Sequence, residues 1–153
     1  LMDKEREDEI DLAQLTDYFG YQLRQAQTAS FRDLSEPFRE LDVTPGEFSL
    51  MTIVKLNPDI HQTDLLRIYR LDKSTMSVAV KRLVGRGLVT QDQLPGDRRF
   101  HGLSLTEAGR EVLAAATALV EAQERRMEDA LGDIDKEAMM KALRRIVGAL
   151  RRD

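Results

Sequence analysis

Apolar residues recur at Leu12, Leu15, Tyr18, Phe19, Leu23, Ala26 and Phe31, close to the 3.6-residue period of a helix with one sticky stripe. The pattern predicts a helix from about Asp11 to Leu41, with Pro37 breaking or ending it. Thr44-Pro45-Gly46-Glu47 then supplies an N-cap threonine, a proline at the first helical position and a glutamate whose side chain can return a bond to the cap amide. The helix it opens carries Phe48, Leu50, Met51, Ile53, Val54 and Leu56, and Asn57-Pro58 stops it. Two short helices follow over 62–69 and 73–86, separated only by Arg70-Leu71-Asp72, which is helix-turn-helix spacing. On the second, Met76, Ala79, Val80 and Leu83 form a core face, while Ser74, Ser77, Val78 and Lys81 fall on the free side.

Gly85 and Gly87 end that helix. Leu88–Gln91 and Phe100–Leu105 read as strands flanking Leu94-Pro95-Gly96-Asp97-Arg98-Arg99, which gives a β-hairpin with a basic tip. Thr106 caps a long helix through Met127, Gly132-Asp133 breaks it, and a last helix runs from about Asp135 to Arg152 with Ala138, Met139, Leu143, Ile146, Val147 and Leu150 on its apolar stripe. The expected fold is therefore mainly α: a winged helix-turn-helix, helices plus a small β-hairpin wing, framed by N- and C-terminal helices. With no repeat, linker or low-complexity segment, residues 1–153 read as one domain, with a winged lobe over 44–106 and framing helices over 9–41 and 107–152.

Charge sharpens this picture. The chain has 27 acidic and 23 basic side chains and a formal charge of -4. Between His61 and Thr106, however, eight basic residues face four acidic ones, a local balance of +4 against -8 elsewhere. Positive potential is thus concentrated on the segment that could meet phosphate, and the remainder repels it. Small polar and methyl groups at Ser74, Ser77 and Val78, with Lys81, suit a major groove. Arginines at the tip of a narrow ribbon suit the minor groove, whose negative potential attracts guanidinium.

The 153 residues, 42% hydrophobic, suffice for one core. With no cysteine, disulfides, thiolate metal sites and a cysteine nucleophile are excluded from this chain. No apolar run approaches the roughly 18 residues of a membrane helix, and the stretch from Leu1 to Arg6 lacks the apolar core of a secretory signal. The expectation is a cytoplasmic, soluble protein with no membrane partner. A Gly-x-Ser-x-Gly elbow, a phosphate-cradling glycine loop and His-Glu-x-x-His are all missing, and His61 and His101 stand alone, so neither catalysis nor a metal site is expected.

Three linked motifs carry a family resemblance: Leu83-x-x-x-Gly87-Leu88-Val89, then Asp97-Arg98-Arg99, then Leu105-Thr106-x-x-Gly109. In order and spacing they resemble the MarR family of winged-helix transcriptional regulators. Leu71-Asp72-Lys73-Ser74-Thr75-Met76 resembles that family's turn into the recognition helix, and Leu41-x-x-Thr44-x-x-x-Phe48 its entry to the helix before. The resemblance implies that Arg99 enters the minor groove while Asp97 holds it, and that Arg98 contacts phosphate or the neighbouring wing backbone. It further implies that Lys73, Ser74, Thr75, Ser77, Val78 and Lys81 approach bases, with Arg82 on phosphate. Two departures stand out: Arg70 where members commonly have a turn glycine, and Leu66 where a small residue commonly follows leucine.

The resemblance also implies a homodimer joined through its first and last helices, bound to a pseudo-palindromic site on double-stranded DNA. It implies repression relieved by a small-molecule effector. Tyr18, Tyr21, Arg24, Phe31, Phe38, Phe48 and His61 are the candidate effector residues, suited to an aromatic acid or an aromatic acyl thioester, though core packing accounts for the rings as well. A helical adaptor dimer that binds no DNA and a metal-responsive regulator are the alternatives, and substituting Arg99 separates the adaptor from the regulator.

Overall fold

In the computed structural model, residues 12–69, 73–94 and 97–151 are described, the side chains at 69, 73 and 93–101 excepted. The order is a 3-10 turn Ala13–Asp17, α1 Phe19–Glu40, α2 Pro45–Leu56, β1 Ile60–His61, α3 Gln62–Tyr69, α4 Lys73–Gly85, β2 Val89–Leu94, β3 Asp97–Leu105, α5 Glu107–Ala130 and α6 Lys136–Leu150. The winged helix-turn-helix expected from the pattern is present, and α3 and α4 lie where the spacing put them. No helix among the described residues is long and apolar enough to cross a membrane.

Local chemistry explains three of the helix starts. At α2 the Thr44 hydroxyl accepts the Glu47 amide at 3.1 Å and the Glu47 carboxylate accepts the Thr44 amide at 2.9 Å, a reciprocal capping box. Thr106 Oγ1 accepts the Gly109 amide at 2.9 Å to open α5, and Asp135 does the same for Ala138 at α6.

Two expectations about the first helix are corrected. The periodic stretch is split, because Tyr18 takes extended backbone between the 3-10 turn and α1. The Gln22 side-chain amide then serves the Thr16 carbonyl at 2.7 Å. Pro37, expected to break or end the helix, lies inside α1, which runs on to Glu40. The next residue supplies the reason: Phe38 is 1% exposed and stacks against Phe48 of α2 with ring centroids 5.9 Å apart, so tertiary packing holds the last turn despite the missing amide.

The sheet has the order β1-β3-β2, antiparallel throughout. Strand β1, absent from the sequence reading, pairs Ile60 with Leu103 and His61 with Gly102. The fold therefore has a third strand that ties the entrance of the helix-turn-helix to the wing. Asp59, in the left-handed region at φ +62°, donates its amide to Ser104 Oγ at 3.1 Å, and that hydroxyl donates to Asp59 Oδ1 at 3.2 Å.

One core cluster joins Leu50, Met51 and Val54 of α2, Leu65, Met76, Val80, Leu83, Leu88, Val89, Leu103 and Leu113. A second joins Leu34 and Phe38 of α1, Val43, and Ala116 of α5. Phe48 and Val112 pack against both, so the framing helices and the winged segment share continuous apolar contact. Leu66, the bulkier residue of the departure noted above, is half-buried against the first cluster. In contrast, α6 buries none of its residues within the chain.

Candidate nucleic-acid interface

Helix α4 divides by face as its periodicity predicts. Met76, Val80 and Leu83 are buried, whereas Ser74, Thr75, Val78 and Lys81 are exposed and Ser77 is half-buried. Val78 is 67% exposed, an apolar side chain left in water at the centre of the outward face. Lys73 begins the helix, and its side chain lies outside the described residues.

Arg82 departs from the rest. Its Nη1 donates to both carboxylate oxygens of Glu47, and its Nη2 donates to Oδ1 of Asp42 and, at 3.1 Å, to the Asp42 carbonyl. One turn later the Arg86 Nη2 donates to the Leu41 carbonyl at 3.1 Å, its Nη1 donates to the Asp42 carbonyl, and its Nε lies 3.2 Å from Asp42 Oδ2. The Glu47 hydrogen bond, ahead of the opposing cost of burial, raises the Arg82 pKa further above its ordinary value. Asp42, Glu47 and Arg86 had no functional role in the sequence reading. The only trace was the capping box, which marked Glu47 as a helix-start residue and not as the partner of a cation 35 positions away.

The wing is a ribbon whose register holds from Val89 opposite Leu105 to Gln93 opposite His101. The next pair is Leu94 with Asp97, so one step along β2 spans four along β3, and Arg98 and Arg99 sit in the resulting bulge. Strand β3 begins at Asp97, earlier than the Phe100 expected from the sequence. The Asp97–Arg99 side-chain contact expected there lies outside the described residues, as do Arg70, Pro95 and Gly96.

The motif residues at the wing's base touch one another. Gly87 takes φ +67°, which a side chain rarely adopts. The Leu88 carbonyl accepts the Thr106 amide at 3.1 Å, and Thr106 Oγ1 donates to the Gly87 carbonyl at 2.6 Å. The two ends of the helix-wing motif are thus bonded together.

The candidate effector residues scatter. Phe38 and Phe48 are engaged with each other between the two core clusters, and His61 lies half-buried on β1. Tyr18 and Phe31 are 59% and 52% exposed on the α1 side, Arg24 is exposed there, and Tyr21 Oη accepts the Gln25 side-chain amide at 2.9 Å. Among the described residues no group of three His, Asp or Glu could hold a metal ion.

A polar junction that the sequence reading missed links α1 to α5. Gln123, buried, accepts from Ser30 Oγ at 3.0 Å and donates to the Ser30 carbonyl at 2.9 Å and to Asp33 at 2.8 Å. Arg126 donates to Asp33 Oδ1 at 2.9 Å. The Arg126 bond, followed by that of Gln123, lowers the Asp33 pKa below its ordinary 3.8.

Comparison with known proteins gives this geometry a family. The MarR family profile matches residues 43–101, the span from the α1–α2 turn through most of the wing. A protein named as a transcriptional regulatory protein for the hcr operon of Thauera aromatica is 29% identical over 128 residues, covering 83% of this chain and 77% of its own. The transcriptional repressor CouR, solved on a 23-mer DNA duplex, superposes with a TM-score of 0.83 at 31% identity over 91% of this chain and 99% of its own. CouR bound to p-coumaroyl-CoA superposes at 0.81 with 29% identity, over 91% and 98% respectively. With its helix-turn-helix, bulged wing and joined motif ends, the chain belongs to the MarR family of winged-helix transcriptional regulators.

Proposed function

We propose that this regulator is a homodimeric repressor that reads a pseudo-palindromic operator and is released by an aromatic effector. The observation that carries the DNA reading is the division of α4: three buried apolar anchors hold the helix, and Ser74, Thr75, Val78 and Lys81 stand outward where a major groove would receive them. Ser77 extends that surface at its edge, and Lys73, which begins the helix, is assigned to it in this reading. Arg98 and Arg99 fall in the bulge next to the tip of the wing, and in this reading Arg99, held by Asp97, enters the minor groove. Arg82 is removed from the phosphate contacts, since its guanidinium is already held by Glu47 and Asp42.

The dimer is supported by what one chain leaves uncovered. Phe19 is 81% and Leu150 75% exposed, and α6 has an apolar stripe with no buried residue. In this reading residues 44–106 form the reading lobe, and helices within 9–41 and 107–152 form the lobe shared with a second copy. A twofold axis through it would set the two α4 helices about 34 Å apart, one turn of DNA.

For the effector, CouR's p-coumaroyl-CoA and the exposed side chains of Tyr18, Arg24 and Phe31 favour an aromatic acyl thioester or its free acid. Phe38 and Phe48 would act on it only through packing. An effector shifts the two reading heads only by its differential affinity for their two spacings. The same reading places the protein in the cytoplasm with its DNA and assigns it no catalysis.

The test is selection of bound duplexes from a random pool at near-physiological salt, with wild type beside Arg99→Ala and Lys81→Ala. One inverted repeat should emerge for wild type, weakened by both substitutions. Addition of p-coumaroyl-CoA, and separately of p-coumarate, should then release the selected duplex. Failure of a folded dimer to enrich any sequence overturns the DNA reading and favours the adaptor.

A further inference from the structure

Two acidic residues stand behind α4, a helix that carries Lys73, Lys81 and Arg82 and no acid of its own. Glu47 is 4% exposed and gives its carboxylate to the Thr44 amide and to the Arg82 guanidinium. Removing one partner of such a pair leaves a charge stranded in a poor solvent, so Arg82 is not free to leave for a phosphate. Arg82 also holds Asp42, and Arg86, just past the end of α4, holds the same aspartate and the Leu41 carbonyl. Both struts therefore end on the Leu41–Asp42 turn between α1 and α2. The turn is itself fixed: Asp42 takes φ +50°, and its neighbour Val43 is buried in the second core cluster.

Building on the DNA-reading function above, we infer that Asp42 and Glu47 are positioning residues for DNA recognition, setting through Arg82 and Arg86 the attitude at which α4 presents Ser74, Val78 and Lys81. The consequence runs against simple electrostatics. Neutralising an acid beside a DNA-binding helix should tighten binding by removing repulsion from phosphate; here it loosens binding, because the helix loses its anchor.

Two variants remove charge while preserving backbone. Glu47→Gln keeps the capping box, which accepts glutamine at that position. Asp42→Asn keeps a residue that tolerates the left-handed region. Affinity for the selected operator and for a scrambled duplex is measured against salt, per active dimer, for wild type, both variants, Arg82→Ala, the Glu47→Gln/Arg82→Ala double variant and Lys81→Ala. Glu47→Gln, Asp42→Asn and Arg82→Ala should each weaken operator binding roughly ten-fold and narrow the operator-to-scrambled ratio. The double variant should be no worse than its worse parent, since both remove one interaction. Their log–log salt slope should stay that of wild type, whereas Lys81→Ala should lose about one unit as a phosphate or groove cation is deleted. Glu47→Gln and Asp42→Asn binding as tightly as wild type or tighter, with Arg82→Ala losing about one unit of slope, overturns the inference and returns Arg82 to phosphate. Should Glu47→Gln fail to fold, Asp42→Asn alone decides by the same criteria. Wild type that binds no duplex fails the DNA-reading function itself, a different outcome from wild type that binds and an Asp42→Asn variant that is indifferent.

Discussion

A Cβ on Gly109 would stand 1.9 Å from the carbonyl oxygen of Leu88. The first turn of α5 lies directly on the backbone that leaves the recognition helix, and backbone cannot swing aside as a flexible side chain can. Gly109→Ala must push α5 off that turn, at a cost of about 3 kcal/mol. Thermal unfolding should show the loss, and Thr106→Ala, which removes the cap and the bond to the Gly87 carbonyl, should cost about 1 kcal/mol.

Phe38 and Phe31 share α1 and differ in fate. Phe38→Ala empties a fully buried site against Phe48 and should destabilise the chain by about 4 kcal/mol. Phe31→Ala deletes a half-exposed ring and should move stability by less than about 1 kcal/mol. If Phe31 lines the effector site, that variant binds operator normally and needs more p-coumaroyl-CoA for release. An unchanged release curve removes Phe31 from the site.

With α4 in the major groove, as proposed, Val78 would offer methyl groups to the base edges, and the matching group on DNA is the thymine methyl. Replacing thymines of the operator singly by deoxyuridine should locate one position in each half-site at which binding drops by about 1 kcal/mol. In the Val78→Ala variant the same replacement should cost nothing further.

Asp33 carries a pH signature. Its folded pKa lies below the ordinary 3.8 because Arg126 and Gln123 favour the carboxylate. The stabilisation is therefore fully present above that ordinary value and is lost as pH falls through the lowered one. Unfolding midpoints of wild type and Asp33→Asn should differ by a constant amount above about pH 5 and converge as pH falls below it. A difference that persists unchanged into stronger acid would show that the carboxylate's charge is not what binds α1 to α5.

On α6, Val147 and Leu150 are exposed in the single chain. Leu150→Asp should leave the helical content intact, shift sedimentation toward the monomer, and abolish operator binding at concentrations where wild type is bound.

The sequence revealed elements wherever the determining chemistry was local. The Thr44–Glu47 box, Asn57-Pro58 and the Thr106 cap each act within four residues, and the boundaries they predict match those found. Long-range determinants were not legible. Strand β1 is two residues long and exists because Leu103 and Gly102 pair with it, not because of its own pattern. Pro37 was misjudged because its local cost is outweighed by Phe38 meeting Phe48. Arg82 reads as a phosphate contact from the sequence, since charge is visible there and the carboxylate that holds it is not. The outward face of α4 was legible because its buried side was.

The pairing of Ile60 with Leu103 also governs when the reading head comes into being. It closes a loop of more than forty residues around α3 and α4, and such closure must be met in entropy before the contact rewards it. A growing chain that has made α4 but not β3 holds two helices whose near end is untethered. During synthesis, competence to read DNA therefore arrives late and abruptly, as the wing's second strand zips onto both of its neighbours.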